Sequence, residues 1–444
     1  MLASSYKVGL GQLVLGNVRW NAANALRSCE RRVLRRAGAF VNQRVLSYCV
    51  VILVAAGCIF YWYRVVRRPF AAYSKIPQVK WTKYFSPMDG FYTSPTVGKD
   101  GELYIAGSEV YCVDPTSALR WEYRVDLHDM IESAVFQDEE RNIYFGTTNK
   151  VYSLTPAGLK RWEASCPMQK MASSDQGGTS DGNTVYTTCG QSFSAFNKED
   201  GTLRWSLPTL DYNSSPVMLK DGEVSFVRER RMFVVDRDGK TLWSYPHVSL
   251  SGFGAPANVS ADVYIDTPIA VGENGTIYGG SQLYRFVALD TQGQVKWTYD
   301  SGNKAGFRTP PVIAADGTII AVSMQDVVYA FAPEDGTVKW TFRLPQTRRG
   351  VHSPVLGSDG TIYVMAETRL VALTDKGHFF WDLSLQGTPV GSPALAPDGT
   401  LYIAMVEGTL YSIQTGSHGL LQSAWPKFQH DSLNSGRAAG AGDK

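Results

Sequence analysis

The chain has 444 residues with 42 Gly and 21 Pro, a share only slightly above ordinary usage, which excludes a low-complexity or mainly disordered protein. Aromatic residues make up 12% and charged residues only 19% of the sequence, a balance that favours extensive β-structure. The net charge of +2 conceals a basic segment of +7 over residues 1–44 and an acidic remainder of −8 over residues 69–444. An acidic body argues against a nucleic-acid reader, which needs a basic surface to neutralise phosphates.

An uncharged run of nineteen residues, VLSYCVVILVAAGCIFYWY at 45–63, predicts a transmembrane helix. At 1.5 Å per residue such a helix reaches roughly 28 Å, which spans the bilayer core. Its outer edge carries Tyr61, Trp62 and Tyr63, amphipathic rings that favour the headgroup level. The long preceding segment and the lack of a small-residue cleavage site oppose a signal peptide. We therefore divide the amino-terminal part into a basic segment (1–44), a transmembrane helix (45–63) and a linker (64–78).

The distribution of basic residues predicts the orientation of this helix. Eight Lys or Arg residues precede it and only Arg64, Arg67 and Arg68 follow it closely, which places the amino terminus in the cytoplasm or in a matrix-like space and the rest of the chain across the membrane. The basic, acid-poor segment is also typical of a mitochondrial transit peptide. We expect a secretory-pathway or plasma membrane, with the mitochondrial inner membrane as the alternative.

Cysteines and asparagines add two weaker signals. Cys112, Cys166 and Cys189 follow the predicted helix, and an odd number implies no closed disulfide framework. Three glycosylation sequons occur by pattern and begin at Asn213, Asn258 and Asn274.

From residue 79 onward the chain repeats with a period of about forty residues, marked by tryptophans 38 to 54 positions apart. The marker residues are Trp81, Trp121, Trp162, Trp205, Trp243, Trp297, Trp340 and Trp381. The longest interval contains residues 247–261, a Gly/Pro/Ser/Ala-containing stretch that reads as an inserted loop. Each unit has a Ser/Thr-containing start, an Asp-Gly-type turn, two alternating apolar runs and the Trp run. Four short antiparallel strands per unit indicate the blades of a β-propeller, with the indoles packed between blades.

The number of blades follows from the number of unit starts, which is eight. Seven units are followed by a Trp strand of their own, and Trp81 stands before the first unit. We therefore predict that the strand at 79–85 pairs with the last unit and closes the ring, which removes an exposed sheet edge. Trp425 is a competing candidate for this strand. The predicted propeller spans residues 79–437, and residues 438–444 are predicted to be a disordered tail.

Segments such as DGTIYVMAETRLVALTDKG, DGTVKWTF and the final WPKFQHDSLNSGR resemble the quinoprotein (PQQ-like) eight-bladed propeller repeat over about residues 79–437. The resemblance implies an all-β eight-bladed propeller, and it is specific for fold and not for activity. The superfamily includes quinone-dependent dehydrogenases, lumenal sensor domains of stress kinases and the bacterial outer-membrane assembly lipoprotein. The chain looks most like the last, non-enzymatic branch.

The residues that catalysis would need are not found together in the sequence. A quinone dehydrogenase needs Ca²⁺ held by oxygen ligands and a carboxylate base, but the candidate carboxylates Glu132 and Asp266 lie 134 positions apart. The adjacent cysteine pair of the family's alcohol dehydrogenases and a haem-attaching Cys-x-x-Cys-His are also missing. The six histidines occur singly, so no zinc spacing appears. We predict no catalytic residue, cofactor or metal ligand, and we interpret His352 as a structural histidine near the channel mouth.

Binding needs only exposed loops on a rigid ring. We predict that loops at the start of the units form a rim that binds other proteins. The candidate residues are Tyr92, Glu132, Tyr212, Asp266, Arg308, Arg348, Arg349, His352 and, in the inserted loop, Phe253. The predicted function is a membrane-tethered, non-catalytic scaffold or adaptor. The alternatives are a quinone-dependent dehydrogenase and a lumenal or extracellular sensor that acts through oligomerisation.

Overall fold

A computed structural model describes most of the chain from Pro77 to Ala441. The described residues are 77–85, 90–126, 129–131, 133–167, 177–209, 214–228, 231–246, 265, 267–281, 284–302, 306–345 and 352–441. The predicted transmembrane helix at 45–63 lies outside these ranges. Within them the structure contains strands and turns, and no helix there is long and apolar enough to cross a membrane.

Within the described residues, thirty-two strands form eight four-stranded antiparallel sheets, which confirms the predicted eight-bladed propeller. The strands of the first four blades are β2 (Thr96–Val97), β3 (Leu103–Ala106), β4 (Glu109–Val113) and β5 (Leu119–Arg124); β6 (Phe136–Gln137), β7 (Ile143–Gly146), β8 (Lys150–Leu154) and β9 (Lys160–Ser165); β10 (Gly178–Ser180), β11 (Thr184–Cys189), β12 (Ser192–Asn197) and β13 (Leu203–Pro208); β14 (Val217–Met218), β15 (Val224–Arg228), β16 (Arg231–Val235) and β17 (Thr241–Tyr245).

The strands of the last four blades are β18 (Ala270–Val271), β19 (Ile277–Gly280), β20 (Arg285–Leu289) and β21 (Val295–Asp300); β22 (Val312–Ile313), β23 (Ile319–Val322), β24 (Val327–Phe331) and β25 (Val338–Arg343); β26 (Val355–Leu356), β27 (Ile362–Ala366), β28 (Arg369–Leu373) and β29 (Phe379–Ser384); β30 (Pro389–Leu395), β31 (Thr400–Met405), β32 (Thr409–Gln414) and β1 (Gln78–Tyr84). Blade 8 thus takes its outermost strand from the start of the propeller.

Asp-Gly pairs form the turn between the first and second strands in several blades, among them Asp359-Gly360 of blade 7 and Asp398-Gly399 of blade 8. Gly360 and Gly399 have φ angles of 82° and 83°, which glycine adopts without the steric cost that a Cβ would add. The preceding aspartate closes the same turn, since the Asp398 carboxylate accepts the Thr400 N–H at 2.9 Å. These aspartates are therefore turn residues, as the sequence indicated.

The eighth blade closes the ring. β1 pairs antiparallel with β32, from Gln78 opposite Gln414 to Tyr84 opposite Thr409. Trp81, and not Trp425, therefore belongs to the ring-closing strand. Because Gln78 lies beside the end of β32, the chain joins the propeller on the side that carries the turns between first and second strands.

The marker tryptophans lie between neighbouring blades. In five blades the indole Nε1–H donates to a carbonyl oxygen in the third turn of the next blade, at 2.8 to 3.0 Å: Trp81, Trp121, Trp162, Trp205 and Trp297. A glycine of that turn lies against the ring, so a methyl group at Gly336 would come within 2.4 Å of Trp297. Each indole thus joins two sheets by packing and by one hydrogen bond.

The last 26 described residues, 416–441, form a segment that crosses one end of the ring. The last residue of the innermost strand donates its backbone N–H to this segment in five blades, at 2.7 to 3.0 Å: Val97, Gln137, Met218, Ile313 and Leu356. Trp425 is completely buried, and Ala438 and Ala441 are 3% and 2% exposed. The packed region thus extends beyond 437, which corrects the predicted disordered tail for residues 438–441.

A buried lysine fixes the shape of this C-terminal segment. Lys427 is 0% exposed, and its ammonium group donates to the carbonyl oxygens of Phe428 and Asp431 and to the Asn434 side chain. Asn434 in turn donates to Thr96 in blade 1 at 2.7 Å. Burying an ammonium group is tolerated only with such partners, so this network specifies how the segment docks.

One disulfide joins two blades, which the odd cysteine count did not predict. Cys166, just after β9, is bonded to Cys189 at the end of β11, 23 positions later. Cys112 remains a buried free thiol.

Replacing both bonded cysteines with serine is expected to lower the free energy of unfolding by about 3 kcal/mol, because the bond restricts the unfolded chain. Thiol counting on a denatured chain that begins at Lys75 checks the bond. We expect one reactive thiol without reductant and three after reduction, whereas three thiols before reduction would contradict the disulfide.

Candidate functional site: the link face of the propeller

The two ends of the ring differ in what they carry. We call the link face the end that holds the connections between blades and the turn between the second and third strands of each blade. We call the plug face the opposite end, which holds the other turns and the C-terminal segment. Of the residues predicted as a binding rim, Tyr92, Arg308 and His352 are described, and they belong to connections of the link face.

Tyr92 and Arg308 are the exposed rim residues that the structure describes. Tyr92 is 41% exposed and Arg308 is also exposed, while His352 is half-buried. Tyr92 begins blade 1 and Arg308 begins blade 6, so the two lie in different sectors of the link face. The other predicted rim residues lie outside the described residues: Glu132, Tyr212, Phe253, Asp266, Arg348 and Arg349.

Several exposed apolar side chains lie on the link face with Tyr92, and the sequence analysis did not identify them as a surface. Tyr84 is 58%, Met130 50% and Val406 37% exposed. A methyl group at Gly90 would come within 2.6 Å of the Val406 carbonyl oxygen and 3.2 Å of the Tyr92 hydroxyl, so Tyr92 and Val406 are close neighbours. We call Tyr84, Tyr92 and Val406 the Tyr92 patch, and Met130 is a further exposed apolar side chain of the link face, in the connection between blades 1 and 2. Clustering of exposed apolar side chains on a soluble surface is typical of a protein-binding site.

An aromatic cluster supports this patch from below. Phe85 packs against Phe91 with ring centroids 5.2 Å apart and against Tyr111 at 4.7 Å. The Phe85 N–H donates to the carbonyl oxygen of Gly408 at 2.9 Å, which ties the end of β1 to the turn that bears Val406. Packing and ring closure thus hold Tyr84 and Val406 on a rigid base, as a low-entropy binding surface requires.

Hydroxyl groups at the start of the innermost strands hold each strand to its neighbour within the blade. Ser133 accepts the Gly146 N–H at 2.6 Å, Ser214 accepts that of Val227 at 3.1 Å, and Thr267 accepts that of Gly280 at 3.0 Å. These hydroxyls therefore have a local structural role, since each joins the start of the innermost strand to the second strand of its blade.

His352 occupies the corresponding position in blade 7, where its backbone N–H donates to the Met365 carbonyl oxygen at 3.3 Å. Burial lowers the pKa of His352 to about 4, since the low-dielectric surroundings disfavour the charged imidazolium. The imidazole is therefore neutral in the folded protein at pH 7.

This shift predicts a pH dependence of stability. Because the folded-state pKa lies below the unfolded value of about 6.5, the unfolded chain binds the proton first, and stability falls as the pH drops from about 6.5 to about 4. The slope from this group is at most ~1.4 kcal/mol per pH unit. His352→Thr, which introduces the residue type of blade 5, is expected to flatten denaturant unfolding midpoints across this window. An identical pH profile in the variant would contradict the assignment.

A histidine and an aspartate of the C-terminal segment have partly exposed side chains that lie close together. The side chains of His430 and Asp431 are 19% and 34% exposed, with Nδ1 3.6 Å from the carboxylate. Burial alone raises the pKa of Asp431, but the nearby His430 side chain and the hydrogen bonds from Ser435 outweigh it and lower the pKa. The carboxylate also accepts two backbone N–H groups, from Leu433 and Ser435, so it caps its own turn.

A quinone dehydrogenase would need a site for its Ca²⁺ ion beside the quinone. Such a centre needs several converging oxygen ligands, and within the described ranges no group of three or more His, Cys, Asp or Glu side chains could hold a metal ion. The three hydroxyls at the starts of blades 2, 4 and 5 already bind backbone groups. The two carboxylates that the sequence singled out lie outside the described part of the chain.

The eight-bladed fold agrees with a family comparison. The family model described as outer membrane protein assembly factor BamB matches residues 147–268 and 235–437. Since these ranges cover more than half of the sequence, the chain belongs to this BamB-type family of PQQ-like propellers. No curated protein matches the sequence significantly.

Solved structures show the same architecture at low sequence identity. BamB from Moraxella catarrhalis is 18% identical with a TM-score of 0.61, and the alignment covers 77% of this chain and 100% of that one. The computationally designed Ika8 protein is 12% identical with a TM-score of 0.58, covering 74% and 97%. The C-terminal WD40 domain of Sif2 is 11% identical with a TM-score of 0.58, covering 77% and 100%. At these identities the likeness concerns the fold alone.

Proposed function

We propose that the protein is a membrane-tethered, non-catalytic scaffold that binds protein partners through its link face. The observation that carries the proposal is the contrast between the two ends of the ring. The protein's own C-terminal segment occupies the plug face, whereas the link face presents the Tyr92 patch and the exposed Arg308. Aromatic, Met and Arg side chains are enriched in protein interfaces, and membership of a protein-assembly family supports the same class of function.

Two features support a tethered protein in an oxidising compartment. The apolar run at 45–63 is long enough for a membrane helix. The Cys166–Cys189 disulfide is typical of compartments outside the cytosol. It supports the secretory pathway or the cell exterior for the propeller and is also compatible with the space outside the mitochondrial matrix.

A quinone-dependent dehydrogenase remains the alternative that the wider superfamily offers. Incubation of the full-length protein with the quinone and Ca²⁺ is expected to give no oxidation of alcohols or aldoses. Turnover that depends on both additions, and that is lost in Asp266→Asn, would replace the scaffold proposal.

Partner binding is expected to depend on the link face. After crosslinking in cells, a carboxyl-terminally tagged chain should remain in carbonate-washed membranes and retain specific neighbours. The double change Tyr92→Ala and Arg308→Ala should weaken the binding of a purified neighbour at least tenfold, since truncated interface anchors commonly cost more than 1 kcal/mol. The matched control is Leu159→Ala on the plug face, whose side chain is 67% exposed. Equal losses in both variants would contradict the proposal.

A further inference from the structure

We propose that Asn274 carries an N-linked glycan. Asn274, Gly275 and Thr276 form the turn between β18 and β19 on the plug face of blade 5, and together they have the acceptor pattern Asn-x-Ser/Thr. The other two sequons begin at Asn213 and Asn258, which lie outside the described residues. The inference rests on the compartment given under the proposed function and extends it to a specific modification.

The geometry of the turn leaves the acceptor amide available. Asn274 is exposed, and its Oδ1 accepts the Thr276 N–H at 3.0 Å. Within the described part of the chain, its Nδ2 makes no hydrogen bond. The oxygen thus stabilises the turn, while the nitrogen that a glycan would use is left for modification.

The turn itself does not require an amide. At the corresponding position, blades 6, 7 and 8 have Asp316, Asp359 and Asp398, and each carboxylate accepts the same backbone N–H at 2.9 to 3.0 Å. One acceptor oxygen is therefore enough for the turn. Asn274 differs from these three aspartates in its side-chain amide nitrogen, the atom to which an N-linked glycan is attached.

The surface beside Asn274 has room for the first sugars. A cavity of about 410 Å³ opens between blades 5 and 6, and Asn274 lies in its wall with Tyr278, Lys296, Pro333 and Glu334. The small side chains of Ala314, Ala315 and Ala424 also line it, which keeps the space open. Sugar rings can pack against Tyr and Pro side chains and exchange hydrogen bonds with the charged groups.

The reaction is a transfer from a lipid diphosphate-linked oligosaccharide. The Asn274 nitrogen attacks the anomeric carbon, the bond from that carbon to the diphosphate oxygen breaks, the amide nitrogen loses one proton, and the lipid diphosphate leaves. In the folded protein Thr276 is only 2% exposed and its hydroxyl lies 3.0 Å from the Lys296 ammonium group. The transfer therefore takes place before blade 5 folds, as the chain enters the lumen.

The test uses the full-length protein from its own membranes. Peptide-N-glycosidase digestion in ¹⁸O-water should convert Asn274 to ¹⁸O-labelled aspartate, which peptide mass spectrometry identifies at that residue and separates from the other two sequons. Recovery of Asn274 as an unmodified amide would overturn the proposal.

Two variants distinguish modification from structure. Asn274→Asp should lose the gel-mobility shift of one glycan. It should keep the turn, because an aspartate forms the same turn in three other blades. Its thermal unfolding midpoint, before and after deglycosylation, should therefore be close to that of the deglycosylated parent protein. Thr276→Ser preserves the sequon and the hydroxyl, and should keep the shift. An unchanged shift in Asn274→Asp would count against the site.

The compartment is read out separately from the glycan. If Asn274 is unmodified while the Cys166–Cys189 bond is formed and the carboxyl-terminal tag is protected from protease, the glycan proposal is rejected. The proposed compartment is then still supported. An unmodified Asn274 together with free thiols at both positions and an accessible tag would reject both.

Discussion

Trp425→Ala is expected to lower the free energy of unfolding of the propeller by about 3–5 kcal/mol, the usual cost of removing a large buried aromatic side chain. Trp425 is 0% exposed and belongs to the largest core cluster. Its carbonyl oxygen accepts the Ile313 N–H at 2.7 Å, so loss of its packing also loosens a backbone link to blade 6. Denaturant unfolding followed by tryptophan fluorescence and circular dichroism measures the effect.

The matched control is Leu159→Ala, because Leu159 is 67% exposed on the same face. Its effect should stay within about 0.5 kcal/mol, as for other surface substitutions. A Trp425→Ala protein as stable as this control would show that the C-terminal segment does not hold the blades together.

Removing β1 is expected to abolish cooperative folding. A chain that begins at Lys75 contains the whole compact unit, Lys75 to Lys444, and should unfold in one transition. A chain that begins at residue 86 leaves blade 8 with three strands, exposes the edge of β32, and removes the Trp81 hydrogen bond to blade 1. An unpaired sheet edge promotes association with other chains.

Light scattering and thermal unfolding compare the two chains. We expect the longer chain to be monodisperse and the shorter one to aggregate or to unfold without a defined transition. Equal midpoints would contradict ring closure by β1.

The fold could be predicted from the sequence because its determinants are local and repeated. The tryptophans recur in the outermost strand, and the Asp-Gly pairs recur in the first turn, so the period is visible along the chain. The position of Trp81 ahead of the first unit also predicted the closing strand correctly. These patterns specify pairing within a blade and contacts to the next blade.

The features that join distant parts of the chain could not be predicted in this way. The segment after Thr415 binds innermost strands as far away as Val97, and nothing in its own pattern specifies those partners. The disulfide pairs Cys166 with Cys189 because the ring brings blades 2 and 3 together, and an odd cysteine count conceals this.

The candidate site was predicted only in part for a related reason. Tyr92 was identified from its position at the start of a unit. Val406 and Tyr84 belong to blade 8, which ring closure places beside blade 1. Exposure also depends on the assembled ring. Tyr123, two residues after Trp121, packs against Phe145 and Tyr152 of the next blade, whereas Tyr84, three residues after Trp81, is on the other face of its strand and is exposed.

Site-specific photocrosslinking tests the central claim most directly, namely that partners bind the link face. A photoreactive amino acid is placed at Tyr92 in one full-length chain and at Leu159 in another, each in the native membrane. The account predicts that the probe at Tyr92 captures one defined protein and that this crosslink is lost when Arg308 and Met130 are changed to alanine. The probe at Leu159 should not capture that protein. Capture of the same protein from Leu159, with none from Tyr92, would contradict the account.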